Sequence, residues 1–302
     1  MDSFEQCRLA SEKAAWSYEK ELKDLEFDFA LDFLPKRLCG AELPPWLKPD
    51  ERRLLNQIRA FSYAHIFLFV EQFIVEETCA AALAYVRTDR EALSALLKFT
   101  DEETKHQRMF LKIKDQVAAG LGFRPGELEG MKEMARKICS HSSFAVFLVT
   151  LNIEWFTQRH YVECFQAEKG ILDAGFVKVF RLHWTEEAQH ARIDTLQLQR
   201  LAKTLSAPEL LCAYDEFWAI LSEMRGLIRE QDRLDVASFE SGLGRSLSDQ
   251  ERASLLLALE KCSLWTYFLS GLEHQAFAKV YNALLPPGGA SLEWVKNKVV
   301  QL

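Results

Sequence analysis

The sequence predicts an all-α protein, a helical bundle with additional peripheral helices, on three observations. Glycine (13 residues) and proline (8 residues) are sparse and cluster at a few places. The long intervals between them carry apolar residues at three- and four-residue spacing, the period of a helix with a buried face. No convincing β-hairpin pattern occurs anywhere along the chain. At 302 residues the chain suits one large helical domain over 1–302 better than two full ones.

The first helix is expected over 11–33. It stops at a segment where Pro35, Gly40, Pro44, Pro45 and Pro49 forbid regular structure. A second helix is expected over 51–86. The next starts at Thr88, whose side chain caps free N–H groups while Glu91 reaches back in a capping box, and runs to Ala119. Gly120, Gly122, Pro125 and Gly126 break the chain before a shorter helix over 127–139. Two more long helices span 143–168 and 174–205. Ser206 with Glu209, and Ser248 with Glu251, repeat the capping signature and open C-terminal helices over 208–281. The expected organisation is a central bundle over 51–203, with helix 11–33 and helices 208–281 packed around it.

Composition narrows the class of protein. Hydrophobic residues are 49% and charged residues 27% of the chain, which is ordinary for a globular protein. The net charge of −7, with no long basic run, gives no surface for nucleic acid. Cys7, Cys39, Cys79, Cys139, Cys164, Cys212 and Cys262 are odd in number, scattered and without a C-x-x-C pair. That pattern argues against a disulfide framework and for a reducing cytoplasm. The N-terminus lacks the basic-then-apolar pattern of a signal peptide. The longest apolar stretches, Ile66 to Val70 and Phe144 to Ile153, reach at most about half of the ~20 residues that a membrane span needs. No membrane association is expected.

A repeat inside the central segment carries the chemistry. Glu103 follows Glu71 by 32 positions and Glu187 follows Glu154 by 33. Around the second glutamate of each pair the chain reads E-E-x-x-H-x-R, as Glu102-Glu103-Thr104-Lys105-His106-Gln107-Arg108 and as Glu186-Glu187-Ala188-Gln189-His190-Ala191-Arg192. Residues three apart share a helix face, so Glu103 with His106, and Glu187 with His190, can each aim a carboxylate and an imidazole at one ion. Glu71 and Glu154 sit in strongly apolar stretches, where an unpaired carboxylate is costly and metal coordination removes the cost. Glu76 and Glu77 do not preserve the spacing. A single E-x-x-H occurs often on solvated helix faces; two copies at matched distances after buried glutamates specify a dinuclear site. Such carboxylate and imidazole sets suit two iron ions, with manganese admissible. Glu102 and Glu186 are candidates to bond the imidazoles or the nearby Arg108 and Arg192 from behind, with a solvated face as the alternative.

These residues resemble the carboxylate-bridged diiron proteins of ferritin-like fold, over about Glu51 to Lys203. His183 narrows the likeness. It lies four residues before Glu187, on the same face, and its counterpart before Glu103 is Phe99. This asymmetric histidine looks like that of the p-aminobenzoate N-oxygenase family, in which one iron takes an additional imidazole; a hydrogen-bonded core histidine is the alternative. The resemblance implies seven ligands: Glu71, Glu103, His106, Glu154, His183, Glu187 and His190. Ribonucleotide reductase small subunits fit less well, because the position of their radical tyrosine is Phe110 here.

The resemblance also implies an oxygenase that activates dioxygen as co-substrate and N-oxygenates an amine. C–H hydroxylation or desaturation uses the same kind of site, and a non-catalytic iron-oxidising or ligand-binding role is the alternative from another class. No dinucleotide fingerprint or cysteine cluster is present, so an external electron donor of the ferredoxin-reductase type is expected beside a small-molecule substrate. The C-terminal helices either cap the site or form a homodimer contact. Tyr63, two turns before Glu71, has two readings, approach to the metals or, the favoured one, burial with a bond to backbone.

Overall fold

The computed structural model describes residues 3–40 and 42–302. The all-α expectation holds: among the described residues the only extended pairing is an isolated bridge between Asp32 and Leu172. In chain order the main helices are α1 (Phe4–Ala14), α2 (Pro49–Leu83), α3 (Arg90–Leu121), α4 (Met131–Ile138), α5 (Ser143–Arg159), α6 (Ala174–Ala202), α7 (Ala207–Leu243), α8 (Asp249–Leu264), α9 (Gln275–Leu284) and α10 (Leu292–Gln301).

Helices α2 and α3 form one long pair and α5 and α6 a second; the pairs close through α3 against α6 and α2 against α5. Why α2 and α5 occupy the centre follows from their sequences. Every residue of α2 from Leu55 to Phe67 is buried, and α5 is buried without interruption from Phe144 to Glu154. A helix buried on all faces needs neighbours on all sides, which for α5 meet an almost wholly apolar run and for α2 also bond polar side chains such as Asn56 and Arg59. Pro49 opens α2 at the position where its missing N–H costs nothing, and Glu51 accepts the Lys48 N–H at 2.9 Å. Helix α1 lies across α3 and α6, while α7 packs on α2, α5 and α8.

Several boundaries differ from expectation, each for a local reason. No helix spans 11–33. Helix α1 begins earlier, where Ser3 and Gln6 form a capping box, and ends at Ala14; only a single turn, Tyr18–Glu21, follows. The stretch after it is held by side chains of the bundle. Asn56 accepts from the N–H groups of Phe33 and Leu34 (2.7 and 3.0 Å) and donates to the Leu34 carbonyl (2.7 Å). Asp173 accepts the Asp28 N–H at 3.0 Å. These bonds satisfy backbone groups that a helix would have satisfied internally. Gly120 makes room for this crossing, since a Cβ there would lie 2.0 Å from the Phe29 ring.

The cap of α3 is Asp89, not Thr88: its carboxylate takes the N–H groups of Glu91 and Ala92, while Glu91 pairs with Arg8. The Ser206 and Ser248 capping boxes form as expected. Helix α4 is shorter than 127–139. The expected helix over 143–168 changes to a π-helical turn at His160–Phe165, and α8 ends in another at Trp265–Leu269. Helix α10 lies beyond the expected C-terminal limit at 281.

One polar cluster joins the central bundle to the outer helices. Arg59 of α2 donates to Asp232 and Asp235 of α7, both at 2.7 Å, and to Ser263 of α8 at 2.8 Å. All of these side chains are buried. No helix among the described residues is long and apolar enough to cross a membrane.

Candidate metal centre

The two E-x-x-H motifs fall at matching heights on α3 and α6, and their side chains meet inside the bundle. Glu71 on α2 and Glu154 on α5 complete the ring; all six, and His183, are at most 2% exposed. Two groups of donor atoms gather within 4.8 Å: Glu71, His106, His183 and Glu187 in one, Glu103, Glu154, Glu187 and His190 in the other. Glu187 and His190 of the second motif fall in one group as expected, whereas Glu103 and His106 of the first fall in different ones. Nδ1 of His106 lies 3.4 Å from Glu103 and 3.2 Å from Glu187, and Nδ1 of His190 lies 2.8 and 2.9 Å from the same two carboxylates. Glu103 and Glu187 stand between both imidazoles, the placement of bridging groups.

The outer nitrogens explain the orientation. Nε2 of His106 meets Glu186 at 2.9 Å and Nε2 of His190 meets Glu102 at 3.0 Å, so each motif supports the histidine of the other. Lys105 pairs with Glu186 and Lys98 with Glu102, and both carboxylates are fully buried. A carboxylate keeps a proton on the nitrogen it faces and leaves the other nitrogen free for a metal. Of the two readings of Glu102 and Glu186, the solvated face is excluded. Replacing either by glutamine should lower iron affinity by roughly 10–100-fold, the usual cost of losing such a partner; titration with ferrous iron measures it, and unchanged affinity in both variants would remove the role.

Arg108 and Arg192 do not join this network. Two residues beyond each histidine is more than half a turn around the helix, and both arginines face outward: Arg108 pairs with Glu19 and Arg192 with Gln189.

His183 is caged by Phe67, Phe110 and Phe180 at ring distances of 5.4, 5.1 and 6.4 Å. Its Nε2 lies 2.6 Å from Glu187 and 3.6 Å from Glu71, yet makes no aligned hydrogen bond. Atoms this close that do not point at each other converge on a common centre. Its counterpart Phe99 instead stacks on His190 with centroids 3.9 Å apart. One metal position is thus offered two imidazoles and the other a single one.

The donor chemistry fits two divalent ions. Both oxygens of Glu103, one each of Glu71, Glu154 and Glu187, Nδ1 of His106 and both nitrogens of His183 are buried without a hydrogen-bond partner. Four buried carboxylates in the two groups are matched in charge by two dications, which removes a penalty that burial would otherwise impose. Without metal, protons do that work. Burial, reinforced by the charge of Glu187, holds the Glu154 carboxyl well above its ordinary range. Burial opposes charge on His106 and on His190, but the surrounding carboxylates more than reverse it and keep both imidazoliums well above theirs. Metal entry displaces these protons.

One residue of the site face escaped the sequence reading. Asp194, a turn beyond His190, is fully buried, neither of its oxygens has a hydrogen-bond partner, and burial holds its carboxyl well above the usual range. The signal was present in the spacing of His183, Glu187, His190 and Asp194, which continues one helix face. His65 bonds Lys114, and His274 caps α9, so neither joins the centre.

Fold and site together define a carboxylate-rich dimetal protein of ferritin-like architecture. The description P-aminobenzoate N-oxygenase AurF matches residues 18–227, and the chain belongs to that family. It is an oxidoreductase whose cofactor is a pair of irons, with manganese admissible, and whose co-substrate is dioxygen. No curated protein is significantly similar in sequence. Among solved structures, two variants of R2-like ligand-binding oxidase with an aerobically reconstituted Mn/Fe cofactor are similar at 15% identity. Each match covers 87% of this chain and 93% or 92% of the other, with TM-scores of 0.48 and 0.47.

Proposed function

We propose that the chain is a non-haem diiron oxygenase that N-oxygenates an amine, with Glu71, Glu103, His106, Glu154, His183, Glu187 and His190 as its ligands. The observation that supports this most is the third imidazole, His183, aimed at one metal position only. In this reading Glu71, His106, His183 and Glu187 would hold one iron, and Glu103, Glu154, Glu187 and His190 the other.

When bound, the two irons supply the binding and reductive activation of dioxygen. The chain's own part is positional. Glu102 and Glu186 hold the imidazole planes and keep Nδ1 unprotonated toward the metals. Phe67, Phe99, Phe110 and Phe180 surround the donors and exclude water, which keeps the local dielectric low. The reaction consumes electrons, which an external ferredoxin-type reductase would deliver, and the substrate is a small amine.

Anaerobic loading with ferrous iron, metal quantification and exposure to oxygen with a panel of aryl and alkyl amines tests the proposal. Two irons per chain, and hydroxylamine or nitro products by mass spectrometry, are expected. His183→Ala should retain at least one iron and lose product formation. Oxidation that stops after one turnover whatever amine is present would replace this reading with an iron-oxidising role, and products hydroxylated only at carbon would replace it with C–H chemistry.

A further inference from the structure

Outside the metal centre, one buried pair of titratable side chains is joined directly and has no part in the chemistry above. The hydroxyl of Tyr63 lies 2.7 Å from Nδ1 of His160, not against backbone as the sequence suggested. The far side of the ring determines its tautomer. Ser270 spends its hydroxyl proton on the Thr266 carbonyl at 2.8 Å, so it presents lone pairs to Nε2 of His160 at 3.1 Å, and Nε2 carries the hydrogen. Nδ1 is then a bare acceptor and Tyr63 the donor. Burial pushes His160 down to about 3 and holds the Tyr63 phenol well above its ordinary range, so the resting pair is neutral on both sides.

A tyrosine that loses an electron becomes a very strong acid. In a buried site the resulting cation is costly unless a base already waits at the hydroxyl. His160 is that base.

The pair also lies in a continuous succession of rings. Inward, Tyr63 packs on Phe67 at 4.8 Å and Phe67 on His183 at 5.4 Å. Outward, His160 lies 5.7 Å from Trp265, which is half-buried and lines an open groove of about 760 Å³ with Arg37, Trp46 and Lys261. Arg37 and Arg159 lie over the Trp265 ring at 3.7 and 5.5 Å; both pair with Glu163, and Arg159 also with Glu273. The ring therefore does not face uncompensated positive charge. His160 and Trp265 are, moreover, the first residues of the two π-helical turns. Such turns are rare and concentrate at functional positions.

We propose that Tyr63, His160 and Trp265 form an electron path between the metal centre and this groove. The path rests on the dimetal oxygenase reading for its inner terminus. Tyr63 gives one electron to the oxidised metal centre while its phenolic proton passes to Nδ1 of His160. Trp265 returns an electron to Tyr63 and the proton moves back. A one-electron reductant in the groove then refills Trp265. One electron moves inward per cycle, with no net proton transfer.

The decisive test needs no metal. In the metal-free full chain, tryptophans are oxidised by a pulse of azide radicals and the absorbance of tryptophan and tyrosine radicals is followed. A tryptophan-to-tyrosine transfer phase is expected whose rate is independent of protein concentration and slower in D2O. It should be lost in Tyr63→Phe and in Trp265→Phe, with helical content unchanged by circular dichroism. The same phase in Tyr63→Phe as in the parent would overturn the path. In ferrous-loaded protein exposed to oxygen, electron paramagnetic resonance should show a tyrosyl radical that Tyr63→Phe lacks at equal iron content. Normal iron binding with no Tyr63-dependent phase defeats the path and leaves the metal assignment intact. The transfer phase in a chain that binds no iron defeats the inner terminus and the oxygenase reading with it.

Discussion

Glu187→Ala should lose both irons. One oxygen of Glu187 lies 2.6 Å from His183 and 3.2 Å from His106, and the other 2.9 Å from His190, so the side chain belongs to both groups of donor atoms. Loss of a shared donor should exceed the roughly 10–100-fold cost of losing an outer hydrogen-bond partner. Metal analysis after ferrous loading and desalting reads the result directly. A thermal scan adds a second reading: a ligand at 100 times its dissociation constant stabilises the native state by about 2.7 kcal/mol, so iron should raise the melting temperature of the parent and leave that of the variant unmoved. Glu187→Gln, which keeps the shape, separates lost coordination from a packing defect. Two irons retained in either variant would sink the ligand assignment.

Arg59→Ala should destabilise the fold by about 3–5 kcal/mol, the cost of leaving buried charges without their partner. Asp232 and Asp235 are fully buried and depend on that one guanidinium for both 2.7 Å contacts. The deficit should depend on pH in a stated direction. Burial, against the opposing pull of Arg59, already lifts Asp232 from 3.8 to about 6, so in the native state it takes up a proton more readily than in the unfolded chain. A group shifted this way contributes stability that is present at low pH and lost as pH rises through its folded value. Without Arg59 the shift grows, so the deficit should be largest above pH 6 and shrink toward pH 4. Urea unfolding of parent and variant at the two ends of that range measures it. A deficit equal at both ends would mean that lost packing, not uncompensated charge, dominates.

The metal-site residues were legible because each property they need leaves a mark in one dimension. A ligand pair on a helix must be three apart, a buried glutamate must sit in an apolar run, and a two-fold arrangement repeats its spacing. His183 stood out as the departure from that repeat. Glu102 and Glu186 were legible as candidates to bond an imidazole, but not which one each would bond, because the histidines they meet lie 88 and 80 positions away on the opposite helix pair. Arg108 and Arg192 looked equally marked, since a motif letter does not say which way a side chain faces.

The element boundaries divide in the same way. Capping at Ser206 and Ser248 is a contact between residues three apart, and the sequence alone determined it. The stretch after α1 was misread as helix because its backbone partners, Asn56 and Asp173, belong to other segments of the chain. The π-helical turns carry no local signature; each is adopted where the helix meets neighbours that only the assembled bundle supplies. So the sequence by itself determined the all-α class, the paired helices and which carboxylates and imidazoles turn toward the core, all of which depend on spacing along one helix. Tertiary structure alone decided which donors share a metal position, which carboxylate fixes which imidazole, and that Tyr63 and His160 meet, because each of these is a contact between residues far apart in the chain.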